Sequence, residues 1–191
     1  MSEELSGTGL GYALLIGAVA AERGFELLLS RRNLRRVAAR GGMIAEHRTF
    51  WDMAAFQVLF LVACPLEVLL LDRPFLPGLG WPMGALVVLA MALRYWAVAA
   101  LGEHWNVRLV VLPGAPVVTG GPYRWVRHPN YLALVVETVA LPLVHTAWLT
   151  ACVGTALLAP LLAGRIRREE AALARHTDWA AAFTGRGRLL P

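Results

Sequence analysis

The chain has 191 residues, of which 58% are hydrophobic and 16% are charged, and it carries a formal net charge of +5. This composition excludes an ordinary soluble domain and indicates a membrane protein of one domain. Its basic residues are all arginine. Because they cluster beside apolar segments, they favour a membrane orientation signal over nucleic-acid binding. Cys64 and Cys152 both lie in apolar stretches, so we expect neither a disulfide framework nor a metal site.

Five apolar segments are predicted to cross a membrane as helices, since a span needs about 20 apolar residues. They are residues 8–29, 50–71, 81–101, 131–144 and 146–164. The last two are short and form a tight hairpin around Pro142 and His145, and we expect His145 to be a non-catalytic histidine at the membrane interface. The segments together predict an all-α integral membrane protein with about five transmembrane helices.

The distribution of arginine predicts the orientation of these spans. Residues 30–49, residues 102–130 and the tail after residue 164 are rich in arginine, whereas residues 72–80 contain only Arg73. Connections rich in arginine stay on the cytoplasmic side of a membrane. The N-terminus is therefore predicted to lie outside and the C-terminus in the cytoplasm.

Charged side chains also lie within the predicted spans. Glu22, Arg23 and Glu26 share one side of the first helix, because residues three and four apart are neighbours. Two interpretations stay open: an ion-paired cluster that reaches the cytoplasmic interface, or a polar wall of a cavity. Glu137 lies inside the fourth span, where a carboxylate must be protonated, paired or functional.

The residues before the fourth span, GGPYRWVRHPNY at 120–131, are the most informative in the chain. They combine arginine, histidine, tyrosine and proline between apolar segments. Pro129 can begin the fourth helix and leave backbone N–H groups facing an anionic group. Donors for a carboxylate and aromatic faces for a base suit a purine-containing cofactor that carries a carboxylate. Upstream, residues 107–112 are β-prone, and residues 113–116 have turn chemistry.

The segment after the fifth span predicts an amphipathic helix, since residues 165–184 carry apolar or small residues at helical spacing. We expect a break in this helix near His176. Arg165 and Glu169 lie four residues apart on one face. Taken alone, their spacing favours a surface ion pair, which is worth roughly a few tenths of a kcal/mol.

The motifs GPY at 121–123, RHPxY at 127–131 and RxxxEE at 165–170 form a specific combination. Together they resemble the isoprenylcysteine carboxyl methyltransferase family, whose members are integral membrane enzymes that use S-adenosylmethionine. The resemblance covers residues 105–183. It implies a cofactor pocket that faces the cytosol and is built from the loop before the fourth helix and the C-terminal helix.

Further motifs are similar to a narrower bacterial branch of that family. They are ERxxE at 22–26, SxRN at 30–33, LRYW at 93–96, WN at 105–106, VLPG at 111–114 and Glu137. The branch is associated with type III polyketide synthases, which implies long-chain alkylpyrones or alkylresorcinols, methylated on a ring oxygen, as substrates. Arg108 stands where the eukaryotic enzymes have a glutamine that contacts the cofactor. This departure weakens the assignment of a prenylcysteine substrate more than the assignment of methyl transfer.

The resemblance also implies roles for individual residues. Those implied in cofactor binding are Ala115, Pro116, Val117, Val118, Tyr123, Arg127, His128, Pro129, Tyr131 and Glu169. Arg165 would lie beside the acceptor and stabilise a developing oxyanion, and Glu22 and Glu26 would line the acceptor's side. Either Glu137 or His128 would take a proton from the acceptor, and both alternatives stay open.

The predicted function is methyl transfer from S-adenosylmethionine to an oxygen of a lipophilic substrate in a bacterial cytoplasmic membrane, with the active site facing the cytoplasm. Residues 1–101 would form the lipid-substrate side, and residues 102–191 the catalytic region, of one integrated domain. The expected partners are the bilayer, the lipophilic substrate and a type III polyketide synthase of the same pathway, with no nucleic acid.

Two alternatives keep the same chemistry: carboxyl methylation of a prenylcysteine and N-methylation of a phospholipid. A third alternative belongs to another class of protein. It is a small membrane transporter or binding protein in which Glu22, Glu26 and Glu137 form a polar pathway. Binding of S-adenosylmethionine separates this third alternative from the methyltransferases.

Overall fold

The computed structural model describes residues 2–46 and 48–190. Met1, His47 and Pro191 lie outside the described residues. The predicted regions 1–101 and 102–191 therefore begin and end, respectively, at a residue that is not described. The described helices are α1 Ser2–Ala39, α2 Arg48–Leu70, α3 Pro77–Leu101, α4 Pro129–Leu143, α5 Trp148–His176 and α6 Trp179–Ala182, with 3₁₀ turns at Gly102–His104 and Gly121–Arg124. The described strands are β1 Met43–Glu46 and β2 Leu109–Val111.

Each predicted span coincides with a helix in the part of the chain that the structure describes. Within that part, three helices are long and apolar enough to cross a membrane: Phe50–Leu70, Pro77–His104 and Trp148–His176. Helix α4 is apolar but shorter, and α1 carries the charged residues named above. The chain is thus a mainly helical integral membrane protein, whereas the number of five spans and the orientation of the termini stay predictions.

Helix α1 runs past its predicted end at residue 29 to Ala39, because residues 30–39 contain neither proline nor glycine to stop it. It ends before Gly41, whose φ of +84° lies in the left-handed region. The amide of Gly42 then donates to the carbonyl of Val37 at 2.9 Å. This glycine stop is a common helix ending, and it turns the chain into β1.

The all-α prediction omitted a small antiparallel sheet. Strand β1 pairs with β2, with Met43 opposite Val111 and Ile44 opposite Val110. The β-prone residues 107–112 form a strand because β1 supplies the partner that a single strand needs for its backbone hydrogen bonds. The sheet fixes the long connection between α3 and α4 against the end of α1.

The core lies where the five long helices meet. Helix α4 packs between α3 and α5, and each long helix contributes to one buried apolar cluster. Buried members from α1 to α5, in order, are Val19, Phe60, Val87, Leu141 and Leu158. On the outside, large apolar side chains such as Leu59, Leu69 and Leu89 are more than 60% exposed. An apolar outer surface of this kind is what a surrounding bilayer requires.

The tight turn between α4 and α5 packs against other parts of the chain. His145 is buried, and its ring lies 5.0 Å from that of Tyr12 and 5.4 Å from that of Phe75. His145 is thus packed inside the protein, because α1 and the α2–α3 connection cover the hairpin, while its position at the membrane interface stays a prediction. By contrast, the predicted break near His176 is confirmed, since α5 ends there and α6 begins at Trp179.

Candidate active site

A cavity of about 340 Å³ extends from the connection before α4 to a cleft between α1 and α2. Its first part, the aromatic part, is lined by Val117, Val118, Tyr123, Trp179 and Phe183. Its second part, the cleft, is lined by Leu27, Phe50, Met53, Ala54, Gln57 and Val58. Arg165 and Glu169 of α5 line it as well. The cavity therefore combines residues from both predicted regions of the chain.

The turn Gly121–Arg124 brings Tyr123 into the aromatic part. Gly121 has a φ of +59°, and a side chain there would lie 3.0 Å from Ala100 and 3.3 Å from the indole nitrogen of Trp96. Glycine therefore permits the turn to sit directly against α3. Burial, reinforced by the charge of Glu169, raises the pKa of Tyr123 above its ordinary value. The phenol is thus a neutral hydrogen-bonding group in the cavity.

His128 precedes α4, and Pro129 begins that helix as predicted. The predicted free backbone donors are partly taken, because the amides of Tyr131 and Leu132 both donate to the carbonyl of His128 at 3.0 Å. The His128 ring is buried and lies 3.2 Å from an oxygen of Glu170. It also stacks on Tyr131, with the ring centroids 5.3 Å apart. His128 is held on several sides at the cavity wall.

Arg165, Tyr131 and Glu169 form a hydrogen-bonded chain across the cavity wall. Arg165 Nε donates to the Tyr131 hydroxyl at 2.7 Å, and that hydroxyl donates to Glu169. Arg165 Nη2 also donates to the carbonyl of Val107. Arg165 is only 7% exposed. The expectation of a surface ion pair was therefore wrong, because the face that carries Arg165 and Glu169 turns toward α4 and the cavity.

The C-terminal tail, residues 184–190, returns to the start of α4. The amides of Arg127 and His128 donate to the carbonyls of Gly187 and Arg188 at 3.0 Å each. Arg188 forms a two-pronged ion pair with Glu170, with a shortest contact of 2.6 Å. These tail contacts were not expected from the sequence. The available signal was a pair of arginines in a glycine-containing tail beyond a Glu-Glu pair.

The resemblance implied a role for Arg127 in cofactor binding. In the structure, Arg127 contacts this tail and the aromatic part of the cavity. Its Nε donates to the carbonyl of Arg186 at 2.6 Å, and its guanidinium carbon lies 5.5 Å from the ring centre of Trp179. Arg186 in turn donates to the carbonyl of Tyr123 at 2.8 Å. The residues that surround Tyr123 are thus fixed by both the loop before α4 and the tail.

A second polar group lies beside the cleft, and we call it the carboxylate cluster: Glu22, Arg23, Glu26, Arg94 and Glu137. Arg23 Nη2 lies 2.6 Å from both oxygens of Glu137, and Arg94 Nη2 lies 2.9 Å from one of them. Arg23 also donates to Glu26 at 2.8 Å. The oxygens of Glu22 are 3.9 Å from each arginine.

Both interpretations of the charges in α1 apply to parts of this cluster. Arg23, Glu26 and Arg94 line the cavity, whereas Glu22 and Glu137 are absent from its lining and lie behind them. Glu137 is 1% exposed. Arg94, whose Nη1 donates to Asn130 at 3.3 Å, received no role in the sequence interpretation. The available signal was an arginine in the middle of an apolar span, which needs a partner.

Most residues implied by the resemblance meet at this cavity. Those that line it are Ala115, Pro116, Val117, Val118, Tyr123, Arg127, His128, Tyr131, Glu169, Glu26 and Arg165. Pro129, Glu22 and Glu137 do not line it. The lining residues that the interpretation gave no role include Arg94, Trp179 and Phe183. Trp179 and Phe183 are distant in sequence from the motif at 120–131, so only the path of α5 and α6 brings them beside it.

The chain is similar to a known protein family and to two bacterial proteins. A family model described as the isoprenylcysteine carboxyl methyltransferase (ICMT) family matches residues 83–175. The uncharacterized protein YpbQ of Bacillus subtilis is 33% identical over 165 residues, which cover 86% of this chain and 97% of that protein. An uncharacterized protein of Haemophilus influenzae is 28% identical over 165 residues, covering 84% of this chain and 93% of that protein.

Proposed function

Since the chain belongs to the isoprenylcysteine carboxyl methyltransferase family and is therefore a membrane methyltransferase, we propose that it methylates an oxygen atom of a lipophilic acceptor with S-adenosylmethionine as donor. The acceptor class we propose is a long-chain alkylresorcinol or alkylpyrone. One observation carries this proposal: the cavity joins a part suited to the donor with an apolar cleft between α1 and α2.

The aromatic part has the chemistry that S-adenosylmethionine requires. Tyr123, Trp179 and Phe183 offer ring faces to an adenine, and Glu169 offers a carboxylate to hydroxyl or ammonium groups. When bound, this donor supplies a methyl group that is already activated on a sulfonium. The residues of the chain then need only to align donor and acceptor and to exclude water.

The cleft has the chemistry of a lipid chain site. Leu27 and Val58 line it and are 40% and 63% exposed. An alkyl chain that enters between α1 and α2 would keep most of its length in the bilayer. This geometry supports a membrane-partitioned acceptor over a water-soluble one.

The charges near the cavity favour a hydroxyl as the accepting group. Arg165 can stabilise negative charge that develops on an oxygen, and it disfavours the cationic amine of a phospholipid. Glu26 can accept a proton, which an ionised carboxylate acceptor does not have to give. A hydroxyl has a proton to give and becomes negative as it reacts, so it suits both side chains.

The proposed location is the cytoplasmic membrane, with five spans and the cavity facing the cytoplasm. The exposed arginines at the end of α1, Arg31, Arg32, Arg35 and Arg36, support this orientation. They belong to the same end of the bundle as the sheet and the aromatic part. A type III polyketide synthase is the proposed source of the acceptor.

The test is transfer of an isotope-labelled methyl group by the purified protein in detergent. The acceptors are an alkylresorcinol, an alkyl hydroxypyrone, a prenylcysteine and phosphatidylethanolamine, and mass spectrometry locates the label. We expect label on a ring oxygen of the first two acceptors. Label on the prenylcysteine or the amine alone would contradict the proposed acceptor. Absence of S-adenosylmethionine binding in a calorimeter would contradict the donor and favour a transport or binding protein.

A further inference from the structure

We infer that Glu26 is the general base that takes the proton from the acceptor hydroxyl. The inference rests on the proposed function, because only an acceptor with a hydroxyl has a proton to lose. Its starting point is the charge of the carboxylate cluster. Three glutamates, Glu22, Glu26 and Glu137, share two arginines, Arg23 and Arg94, so the ionised cluster carries a net charge of −1.

An excess negative charge is unfavourable where the cluster is buried. Each member of the carboxylate cluster has a side chain at most 14% exposed, and an uncompensated charge is costly in a low-dielectric surrounding. Uptake of one proton makes the cluster neutral. The cluster is therefore a proton acceptor whose charge balance improves when the acceptor hydroxyl loses its proton.

The hydrogen bonds show which carboxylates have room for that proton. Both oxygens of Glu22 and Oε1 of Glu26 are buried without a hydrogen-bond partner, whereas Glu137 is bonded to Arg23 and Arg94 through short contacts. A protonated carboxyl acts as a donor as well as an acceptor. Glu22 and Glu26 can thus hold a proton, while Glu137 is already saturated by guanidinium groups.

Access to the cavity then selects Glu26. Of the three glutamates, only Glu26 lines the cavity. It is 6% exposed, so the part of Glu26 that lines the cavity is shielded from most water. The other predicted base, His128, also lines the cavity, but its ring is engaged by Glu170 at 3.2 Å. It belongs to the wall that the tail and α5 hold in place.

The reaction balances with Glu26 in this role. The acceptor O–H bond breaks and its proton moves to the Glu26 carboxylate, while an electron pair of the acceptor oxygen forms the new carbon–oxygen bond to the methyl group. The electron pair of the carbon–sulfur bond stays on the sulfur of the spent donor, which becomes a neutral thioether. Glu26 releases the proton to water when the product leaves, and the cluster returns to its net charge of −1.

The acidity of the acceptor hydroxyl decides how much Glu26 increases the rate of methyl transfer. A phenolic hydroxyl has a pKa of about 10, so only about one molecule in 1,000 is ionised at pH 7. A hydroxypyrone is far more acidic and is largely ionised at that pH. Glu26 should therefore matter for alkylresorcinols and much less for alkylpyrones.

The experiment compares the full-length protein with its Glu26→Gln variant, using an alkylresorcinol and an alkyl hydroxypyrone of the same chain length. At pH 7 we expect kcat for the alkylresorcinol to fall about 100-fold or more, and kcat for the hydroxypyrone to fall only a few-fold. The alkylresorcinol rate of the variant should recover as the pH approaches 10. Calorimetric Kd values for S-adenosylmethionine, and for the alkylresorcinol in the presence of S-adenosylhomocysteine, should match the wild type.

Two further variants act as controls. Glu103→Gln makes the same chemical change at a half-exposed glutamate outside the cavity lining, and we expect wild-type kinetics with both acceptors. Glu22→Gln removes the same charge from the carboxylate cluster but leaves the cavity-facing carboxylate in place. Because the lost charge also lowers the proton affinity of Glu26, we expect the rate with the alkylresorcinol to fall much less than in Glu26→Gln, and the rate with the hydroxypyrone to change little.

Each contrary outcome has a distinct meaning. If Glu26→Gln slows both acceptors equally while it still binds the donor, or slows neither, Glu26 is not the base. If Glu22→Gln reproduces the full acceptor-dependent loss of Glu26→Gln, the charge of the cluster and not Glu26 is responsible, and the inference fails. If the wild-type protein methylates neither acceptor, the proposed function itself fails.

Discussion

Two sites in this protein contain buried glutamates, and they differ in how completely the carboxylate oxygens are hydrogen-bonded. Where α2 meets α5, Glu67 accepts hydrogen bonds from two amides at the start of α5, at 2.6 and 3.2 Å, and from Arg73 at 3.0 Å. In the carboxylate cluster, Glu22 and Glu26 keep oxygens without a hydrogen-bond partner. Because buried polar groups are nearly always satisfied, the first arrangement stabilises the fold, and the second indicates chemistry.

Distance along α5 separates these two sites. Thr150, which contacts Glu67, and Arg165 at the cavity are about 15 residues apart, which is about 22 Å along the helix axis. Substitutions at the two ends should therefore act independently. Loss of activity without loss of stability is expected near the cavity, and the reverse is expected near Glu67. Four predictions test this contrast.

The largest effect is expected for Arg165→Ala, which removes the buried guanidinium that contacts Tyr131. Loss of a group that stabilises a developing oxyanion typically lowers kcat by about 100- to 1,000-fold. Labelled methyl transfer measures kcat, and thermal unfolding shows that the variant is folded. Arg165→Lys is the matched control, and it should recover part of the rate because it keeps the charge. A normal rate for Arg165→Ala would remove Arg165 from the reaction.

The next effect is expected for Glu169→Gln at the aromatic part of the cavity. This variant loses a charged acceptor that contacts the Tyr131 hydroxyl and is available to the donor. A hydrogen bond to a charged group contributes about 1.5–3 kcal/mol, so the Kd for S-adenosylmethionine should rise about 10- to 100-fold. Calorimetry measures Kd directly. If Kd is unchanged but kcat falls, Glu169 acts on the reaction and not on donor binding.

Glu67→Gln should have the opposite pattern. It weakens the ion pair with Arg73 and the hydrogen bonds to the first amides of α5, which should lower the free energy of unfolding by about 1–2 kcal/mol. Chemical denaturation of the detergent-solubilised protein measures this loss. Below its unfolding temperature, the variant should keep wild-type kcat and Kd. A large loss of activity at full stability would contradict the division between the two sites.

The smallest effect is expected for Arg188→Ala in the C-terminal tail. The pair with Glu170 raises the pKa of Arg188, but the Arg188 side chain is 55% exposed, and exposed ion pairs contribute about 1 kcal/mol or less. The Kd for S-adenosylmethionine should rise only a few-fold, and added salt should reduce the difference from the wild type. A loss as large as that of Glu169→Gln would show that the tail itself forms part of the donor site.

The sequence predicted local structure well wherever one segment carries its own signal. The apolar runs located the five long helices, Pro129 marked the start of α4, and residues 107–112 contained a strand. The features that were not predicted share a cause: each depends on a partner far away in the chain. Strand β1, the burial of His145 and the tail contacts of Arg188 all arise from neighbours that no local pattern reveals.

The candidate site divides in the same way. The motifs at 121–131 and 165–170 contain many of the predicted site residues. They come together in the structure because the two motifs lie at the facing ends of α4 and α5. Trp179 and Phe183 were missed, since their place depends on the break after His176. Arg94 was missed because its partners, Glu22, Glu26 and Glu137, come from two other helices.

By itself, the sequence determined that this protein is a helical membrane protein, and its motifs predicted the methyltransferase family to which it belongs. Apolar length and residue type are properties of the chain, and no packing is needed to read them. Only the tertiary structure decided which of three similar glutamates reaches the cavity. Glu22, Glu26 and Glu137 have the same functional group and all lie in apolar helices. The crossing of α1, α3 and α4 saturates Glu137 with guanidinium groups, buries Glu22 behind them and leaves Glu26 facing the cavity.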